Sequence, residues 1–521
     1  MFDILDCTIR DGGYYTDWDF SDGFVEAYLG AIADLPISCI EIGYRSPPKT
    51  MYTGRYFHLS RADILAIRAA IRPDQQIALM FNQKDVGPEA VDRMLGDIAD
   101  TVDLVRFACP PDAIGECLAN ASVVARHGIG CMINVMYLNT WLDRPEILAP
   151  IAGHADKVQA VALVDSYGSC FPDQVKQAVE TVSGLLPQKI GFHGHDNLQL
   201  AFANSLAALE GGAAMLDATM LGMGRGAGNL RTETALVYRE GLGTQANIRL
   251  DRLAKLLETM GEMQHAFGWG SNLPYLISGI AELKQADVMD WLGKRRYTPG
   301  SIVSALRSRS GIELETTEHP DIATLAGPWG TAGRDLVVIG GGESVPKHRQ
   351  GIARFLAARQ GLLVHSSLHH ADQFPDVVQQ LFCLPGQELA RGRARRAEAV
   401  AEAGNATWVV SAPPRFPGST PQTGPVVQVA PMEATDLDAL GPVSDVTPLG
   451  LALGAAMALD VGRVMLVGFD GYENATAHEM DLMHDIRETL SAFRRARPEV
   501  ELLSLTPTLY QLPVRSLYAE W

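Results

Sequence analysis

The chain has 521 residues, 47% of them hydrophobic and 20% charged, with a formal net charge of −18 at pH 7. That length allows two or three domains, and that charge argues against a nucleic-acid polyanion as the main partner. No uninterrupted apolar run reaches membrane-spanning length, and Met1–Asp6 lacks the basic and apolar regions of a signal peptide. A cytoplasmic protein with no membrane partner is expected. The seven cysteines are scattered and none forms Cys-x-x-Cys, so neither a disulfide framework nor a zinc–thiolate site is expected.

Taken in chain order, the first half alternates short apolar or β-branched runs with helical patterns. The runs are Phe2–Thr8, Ile37–Gly43, Gln76–Phe81, Val102–Phe107, Gly130–Met136, Val158–Val164, Gln188–His193 and Ala213–Met220. Strands alternating with amphipathic helices imply a parallel sheet. Eight such units within about 240 residues fit an α/β fold of the (β/α)8 TIM-barrel type. No Gly-rich dinucleotide turn follows the first run, which argues against a doubly wound sheet here.

A barrel carries its chemistry at the C-terminal ends of its strands. Those exits hold Arg10-Asp11-Gly12-Gly13-Tyr14-Tyr15, then Glu41, Arg106, Asn134 and Asp165-Ser166. The seventh holds His193-Gly194-His195, and the eighth is followed by Gly222-Met223-Gly224-Arg225-Gly226-Ala227-Gly228-Asn229. Residues i and i+2 of a strand point the same way, so the two imidazoles project together as half of a metal site.

Asp6-Cys7-Thr8-Ile9-Arg10-Asp11-Gly12 at the first strand, His-x-His at the seventh and a Gly-rich loop ending Gly228-Asn229 after the eighth resemble the DRE-TIM metallolyase superfamily. Its members include hydroxymethylglutaryl-CoA lyase, isopropylmalate and homocitrate synthases and 4-hydroxy-2-oxovalerate aldolase, and the aldolase branch is the nearest in pattern. The resemblance implies that Asp11, His193 and His195 bind a divalent metal and that Asn229 completes or borders its shell. Two imidazoles, one carboxylate and open positions suit Mn2+, Mg2+, Co2+ or Zn2+, and mixed N/O ligation together with the resemblance favours Mn2+ or Mg2+.

The implied chemistry is cleavage or formation of a carbon–carbon bond beside the carbonyl of a 2-oxo acid such as pyruvate, with an aldehyde as partner, through a metal-stabilised enolate. By resemblance Arg10 donates to the enolate oxygen, while Asp165 and Ser166 meet the substrate carboxylate. The competing expectation for Arg10 is a salt bridge with Glu41 or Asp165. Glu41 is itself a candidate substrate contact, and Arg106 is read either as a holder of a second carboxylate or phosphate, or as structural. The aldolases place a base histidine three residues after the metal aspartate, where this chain has Tyr14, a weaker base at neutral pH. They also carry a helical domain after the barrel that contributes a tyrosine, and Tyr275 is the candidate for it.

Helical patterns follow the barrel at Asp251–Gln264, Leu273–Leu283, Ala286–Lys294 and Pro299–Ser308. The stretch 316–333 lacks periodicity and reads as a linker. Strand-like runs resume at Asp335–Gly340, Gly361–His365, Gln380–Leu384, Thr407–Ser411, Val426–Ala430, Arg463–Gly468 and Glu501–Leu505, indicating an open Rossmann-like sheet. Gly340, Gly341, Gly342 and Ser344 before a helix make a candidate anion or nucleotide cradle. Phe469-Asp470-Gly471-Tyr472 resembles nucleotide-sugar-dependent sialyltransferase-like domains, with Asp470 the candidate ribose or sugar contact.

The expected organisation is therefore a lyase barrel at 1–245, a helical extension at 246–315, a linker at 316–333 and a Rossmann-like domain at 334–521. A homo-oligomer is expected. The alternatives are an acyl-CoA-dependent Claisen-type enzyme, and a bifunctional enzyme whose second domain handles a nucleotide or nucleotide sugar.

Overall fold

The computed structural model describes residues 2–243, 250–293, 302–303, 305–306, 315–377, 379–385, 406–415, 420–421, 424–432, 446–473, 475 and 477–519. They form two compact units, Met1–Met289 and Asp290–Trp521. Among the described residues, no helix is long and apolar enough to cross a membrane.

In the first unit eight parallel strands close into a barrel: β1 (Asp3–Asp6), β2 (Cys39–Tyr44), β3 (Gln76–Asn82), β4 (Leu104–Cys109), β5 (Gly130–Val135), β6 (Ala160–Asp165), β7 (Lys189–Gly194) and β8 (Met215–Ala218). The strand bodies are apolar on both faces because helices cover the outside and neighbouring strands fill the inside. A large outer core includes Ile4, Ile40, Ile42, Phe81, Phe107 and Phe192. A smaller plug inside the barrel joins Leu5, Cys39, Ala78, Leu104, Met132 and Ala162.

Side chains alternate along a strand, so the interior layer above that plug is two residues further along. On β2, β4, β5, β7 and β8 those positions are Glu41, Arg106, Asn134, His193 and Asp217, all buried. The barrel thus changes from apolar floor to charged layer within one step of the pleat. The β4 run was expected to end at Phe107, but pairing continues to Cys109. Arg106 is consequently a mid-strand interior residue, not a strand exit.

The helices Leu250–Phe267, Leu273–Ile280 and Gln285–Gly293 follow, and the first compact unit ends within the last of them. The expected helix Pro299–Ser308 falls largely outside the described residues. Residues 316–333, expected as a linker, instead carry the short helical turns Ile322–Leu325 and Ala326–Trp329, and Ile322 is fully buried in the core of the second unit.

That second unit holds β9 (Asp335–Ile339), β10 (Leu362–His365), β11 (Gln380–Phe382), β12 (Ala406–Ser411), β13 (Val426–Val429), β14 (Arg463–Val467) and β15 (Glu501–Ser504). All pairings are parallel, in the order β13-β12-β11-β10-β9-β14-β15, compatible with an open doubly wound sheet whose order reverses between β9 and β14. The loops leaving those two strands lie against each other: Gly340 N donates to Val467 O at 2.8 Å and Gly342 N to Gly468 O at 2.9 Å. A Cβ on Gly342 would sit 2.6 Å from Asp470 Oδ2 and 2.7 Å from Gly468 O, so only glycine fits this approach. Gly342→Ala is expected to destabilise the second unit by about 1–3 kcal/mol, the usual cost of overpacking, read as a lower urea midpoint. An unchanged midpoint would show that the two loops are free to separate.

Candidate active site

The polar layer inside the barrel is a chain of paired charges. Arg10 Nη1 donates to Asp11 Oδ1, and Arg10 Nε donates to Glu41 Oε2 at 2.6 Å. The other Glu41 oxygen lies 3.2 Å from Arg106 Nη1, and Arg106 Nη2 donates to Asp217 Oδ2 at 2.5 Å. Asp217 Oδ2 also stands 2.9 Å from His193 Nδ1, and the exposure of these charged groups is 6% or less. The chain starts at Asp11 and returns to His193, which lies beside Asp11. Three carboxylates face two guanidiniums, an excess of one negative charge. Unpaired, any one of them would be very costly to bury; paired in series, they hold one another ionised.

Their ionisation follows. Burial works against the Asp217 carboxylate, but Arg106 and His193 overcome it and hold it at about 2. Burial likewise opposes Asp11, and Arg10 and the two histidines pull it well below the usual carboxylate range. Burial pushes His195 down to about 3, helped by His193 and opposed by Asp11.

The hydrogen bonds also fix the tautomers. Asp217 is an ionised acceptor, so His193 donates to it from Nδ1, and it is Nε2 that faces away from this bond as the possible metal ligand. His195 Nδ1 stands 2.9 Å from the Asp165 carbonyl oxygen, which can only accept, so His195 presents a bare Nε2. One ligand atom from each of Asp11, His193 and His195 falls within a common span of 4.8 Å. Asn229 Nδ2 donates to Asp11 Oδ2, and its Oδ1 is buried with no partner among the described residues. Two imidazoles, an ionised carboxylate and an orphaned amide oxygen fit a divalent cation. A second cluster of Cys7, His193 and Asp217 does not, because burial keeps the Cys7 thiol protonated and Asp217 is already spent on Arg106.

The substrate contacts expected from the sequence are redistributed. Arg106 is fully buried between Glu41 and Asp217, so it cannot hold a second carboxylate or phosphate. Glu41 is fully buried as well, and it orients Arg10 and not a ligand. The Asp165 carboxylate accepts from Ser169 N and Cys170 N at 3.0 and 3.1 Å, which folds the loop after β6. Ser166 Oγ accepts from Tyr137 N at 2.8 Å. Arg10 keeps one guanidinium nitrogen, Nη2, outside these pairs among the described residues.

Tyr14 and Tyr15 follow Asp11 on the helix Thr8–Thr16. Tyr14 packs edge-on against Trp18, with ring centroids 4.8 Å apart, and the Arg225 guanidinium lies 5.1 Å from the Tyr14 ring centroid. Tyr15, which sequence reasoning passed over, donates to Gly226 O at 2.5 Å and meets the Tyr275 hydroxyl at 3.3 Å. Burial pushes Tyr275 up to about 12, with the Tyr15 contact acting the other way. At neutral pH Tyr275 is thus a hydrogen-bond donor, held against Tyr15, which lies one helical turn after Asp11.

Asn197 is the second residue the sequence did not single out. Its Nδ2 donates to Tyr275 O and Ser278 Oγ, both at 3.2 Å, and its Oδ1 accepts from Gln285 Nε2 at 2.9 Å. One side chain just beyond β7 therefore clips the helical extension to the metal-binding strand.

In the second unit Gly340, Gly341, Gly342, Ser344 and Asp470 do meet at the strand exits. Asp470 Oδ2 accepts from Ser344 N at 2.9 Å and its Oδ1 from Ser344 Oγ at 2.5 Å. The amide an anion would use is already taken by the chain's own carboxylate.

A closed parallel barrel with two imidazoles and a carboxylate at its mouth defines a metal-dependent enzyme. The family model described as HMGL-like matches residues 142–260. The 4-hydroxy-2-oxovalerate aldolase of Burkholderia pseudomallei is 30% identical over 292 residues, covering 50% of this chain and 75% of that protein. The oxaloacetate decarboxylase of Mycobacterium tuberculosis is 28% identical over 270 residues, covering 51% and 78%. The crystal structure of the N-terminal domain of a candidate aldolase from Bacteroides vulgatus superposes with a TM-score of 0.54 at 36% identity, covering 58% of this chain and 99% of that one. The chain belongs to the HMGL-like family of DRE-TIM metallolyases, and it is a metal-dependent lyase.

Asp217→Asn retains an acceptor for His193 but removes the charge that links it to Arg106. Mn2+ affinity, measured by calorimetry, is expected to fall by about 10–100-fold, the usual cost of losing a ligand's supporting partner. Affinity within about twofold of the parent would mean that the charge chain is irrelevant to the site.

Proposed function

We propose that the barrel makes or breaks the carbon–carbon bond beside the ketone of a 2-oxo acid, with an enolpyruvate-like intermediate and an aldehyde as the other product, using Mn2+ or Mg2+. The observation that carries this reading is the convergence of Asp11, His193 and His195, with the Nδ1 of each imidazole engaged by an oxygen of the barrel and Nε2 left to face a ligand. When bound there, the divalent cation supplies Lewis acidity, drawing charge toward the ketone oxygen. The chain's own residues do the rest. Arg10, clamped by Asp11 and Glu41, is preorganised to aim its remaining N–H at the developing oxyanion, a geometry that costs no reorganisation during reaction. Tyr275, with its raised pKa, donates a hydrogen bond and does not act as a base. The Tyr14 phenol at the position of the aldolase base supports a second reading, decarboxylation of a 2-oxo dicarboxylate. Loss of carbon dioxide leaves the same enolate and needs no base.

Exchange of the pyruvate methyl protons in D2O reads enolisation without any choice of aldehyde. Chelator-treated protein is expected to exchange at the background rate, and Mn2+ or Mg2+ to restore exchange. His195→Ala, with the fold checked by circular dichroism, is expected to remove both metal binding and exchange. Full metal-dependent exchange in His195→Ala would sink the lyase reading, and no exchange in the metal-loaded parent would sink its aldol form.

A further inference from the structure

Arg225 stands in the Gly-rich loop after β8, and it is out of place by the rule that governs the rest of the mouth. Arg10 and Arg106 are both matched by carboxylates. Arg225 has no carboxylate within ion-pair distance among the described residues, and its Nε is buried without a hydrogen-bond partner. Leaving such a donor unsatisfied costs on the order of 1–3 kcal/mol. Arg225 is partly buried, and its guanidinium rests over the Tyr14 ring, 5.1 Å from its centroid.

The loop fixes where that cation stands. A Cβ on Gly224 would fall 2.6 Å from Asp11 Oδ2 and 2.1 Å from Asn229 Nδ2, so the backbone one residue before Arg225 lies directly against the metal-binding groups. Gly228 N donates to Arg225 O at 3.2 Å and Asn229 N to Gly222 O at 3.2 Å, closing the loop on itself. A rigid loop that touches the metal ligands and next presents an unmatched, partly desolvated guanidinium is built to receive an anion beside the reacting centre.

We propose that Arg225 is the specificity-determining residue of this site, and that it binds a second acidic group, carboxylate or phosphate, carried by the aldehyde-derived half of the substrate. The inference rests on the 2-oxo-acid lyase reading and extends it to the second substrate. It also separates the two reactions considered above. A guanidinium gripping the distal carboxylate of a 2-oxo dicarboxylate would stabilise the group that has to leave as neutral carbon dioxide. The same grip on an acid group beyond the bond being broken stabilises substrate and transition state alike and positions the aldehyde carbon. Arg225 therefore favours aldol chemistry with an anionic aldehyde.

The test compares the Mn2+-loaded parent with Arg225→Gln and Arg225→Lys, using pyruvate with propanal, succinic semialdehyde or glyceraldehyde 3-phosphate. For the preferred anionic aldehyde, kcat/KM is expected to fall about 100-fold in Arg225→Gln, with part of it returned by Arg225→Lys, while propanal changes by less than about threefold. The aldehyde showing the larger loss identifies carboxylate or phosphate as the recognised group. Calorimetry supplies a readout independent of turnover. Oxalate, which reaches only the metal, should bind Arg225→Gln within about twofold of the parent, and 2-oxoglutarate should bind at least about tenfold more weakly. Equal effects on neutral and anionic aldehydes, or equal binding of both ligands by parent and variant, would overturn the inference. Oxalate failing to bind even the metal-loaded parent would instead overturn the lyase reading, and this inference with it.

Discussion

The constraint on which this barrel depends is that charges inside it exist only in series. Asp11, Arg10, Glu41, Arg106, Asp217 and His193 pass hydrogen bonds and ion pairs from one to the next across four strands. Each guanidinium is held between two carboxylates, so no member can be removed without stranding a buried charge. The chain does not close through protein alone. It leaves an excess negative charge between Asp11 and His193, where a cation completes it. The network is therefore at once a structural layer of the barrel and the electrostatic floor of the metal site.

That floor governs the geometry above it. Glu41 and Asp11 hold Arg10 from two sides, which leaves Nη2 outside these pairs among the described residues. Asp217 sets the His193 tautomer and a backbone carbonyl sets that of His195, so the two donors are prepared before any ion arrives. On the far side of β7, Asn197 ties the helical extension to the same strand and carries Tyr275 toward the Gly-rich loop. Ligand geometry and the position of the helical extension are thereby set by residues four positions apart or closer in the sequence, His193, His195 and Asn197. A substitution near the end of β7 will disturb metal, loop and extension together, which makes single-residue attribution there unsafe without a control for fold.

Much of this was legible in the sequence, for physical reasons that differ from residue to residue. The strands of both units stood out because a parallel sheet covered on both faces needs continuous apolar runs. His193 and His195 stood out because period-two spacing on a strand has one simple consequence. Arg106 was left between a ligand-holding and a structural role, Glu41 was read as a substrate contact and Asp217 was missed, because their role depends on register. Two residues of error at the end of β4 turn an interior residue into an apparent mouth residue. The alternation did contain the answer: Cys39, Leu104 and Met215 belong to the plug or pack against it, and the residue two positions after each is charged. Asn197 and Tyr15 gave no signal, since an asparagine after a strand and a tyrosine in a helix usually cap or pack. Asp470 was read as a ligand contact, yet it fills the anion cradle of Gly340–Ser344 itself.

The tyrosine at position 14 and the arginine at position 225 are best understood as one feature. A histidine acting as base becomes positively charged when it takes a proton, and a guanidinium 5.1 Å from its ring would oppose that step. A phenol offers the cation the negative face of its ring and asks nothing of it in return. Placing an unpaired arginine over this helix therefore removes the reason to keep a histidine there. On that reading the barrel has an anion-binding group where the aldolases place a basic side chain. In such a site the substrate's second charge does more than mark specificity, because it also completes the pairing rule that every other arginine in the barrel layer already obeys.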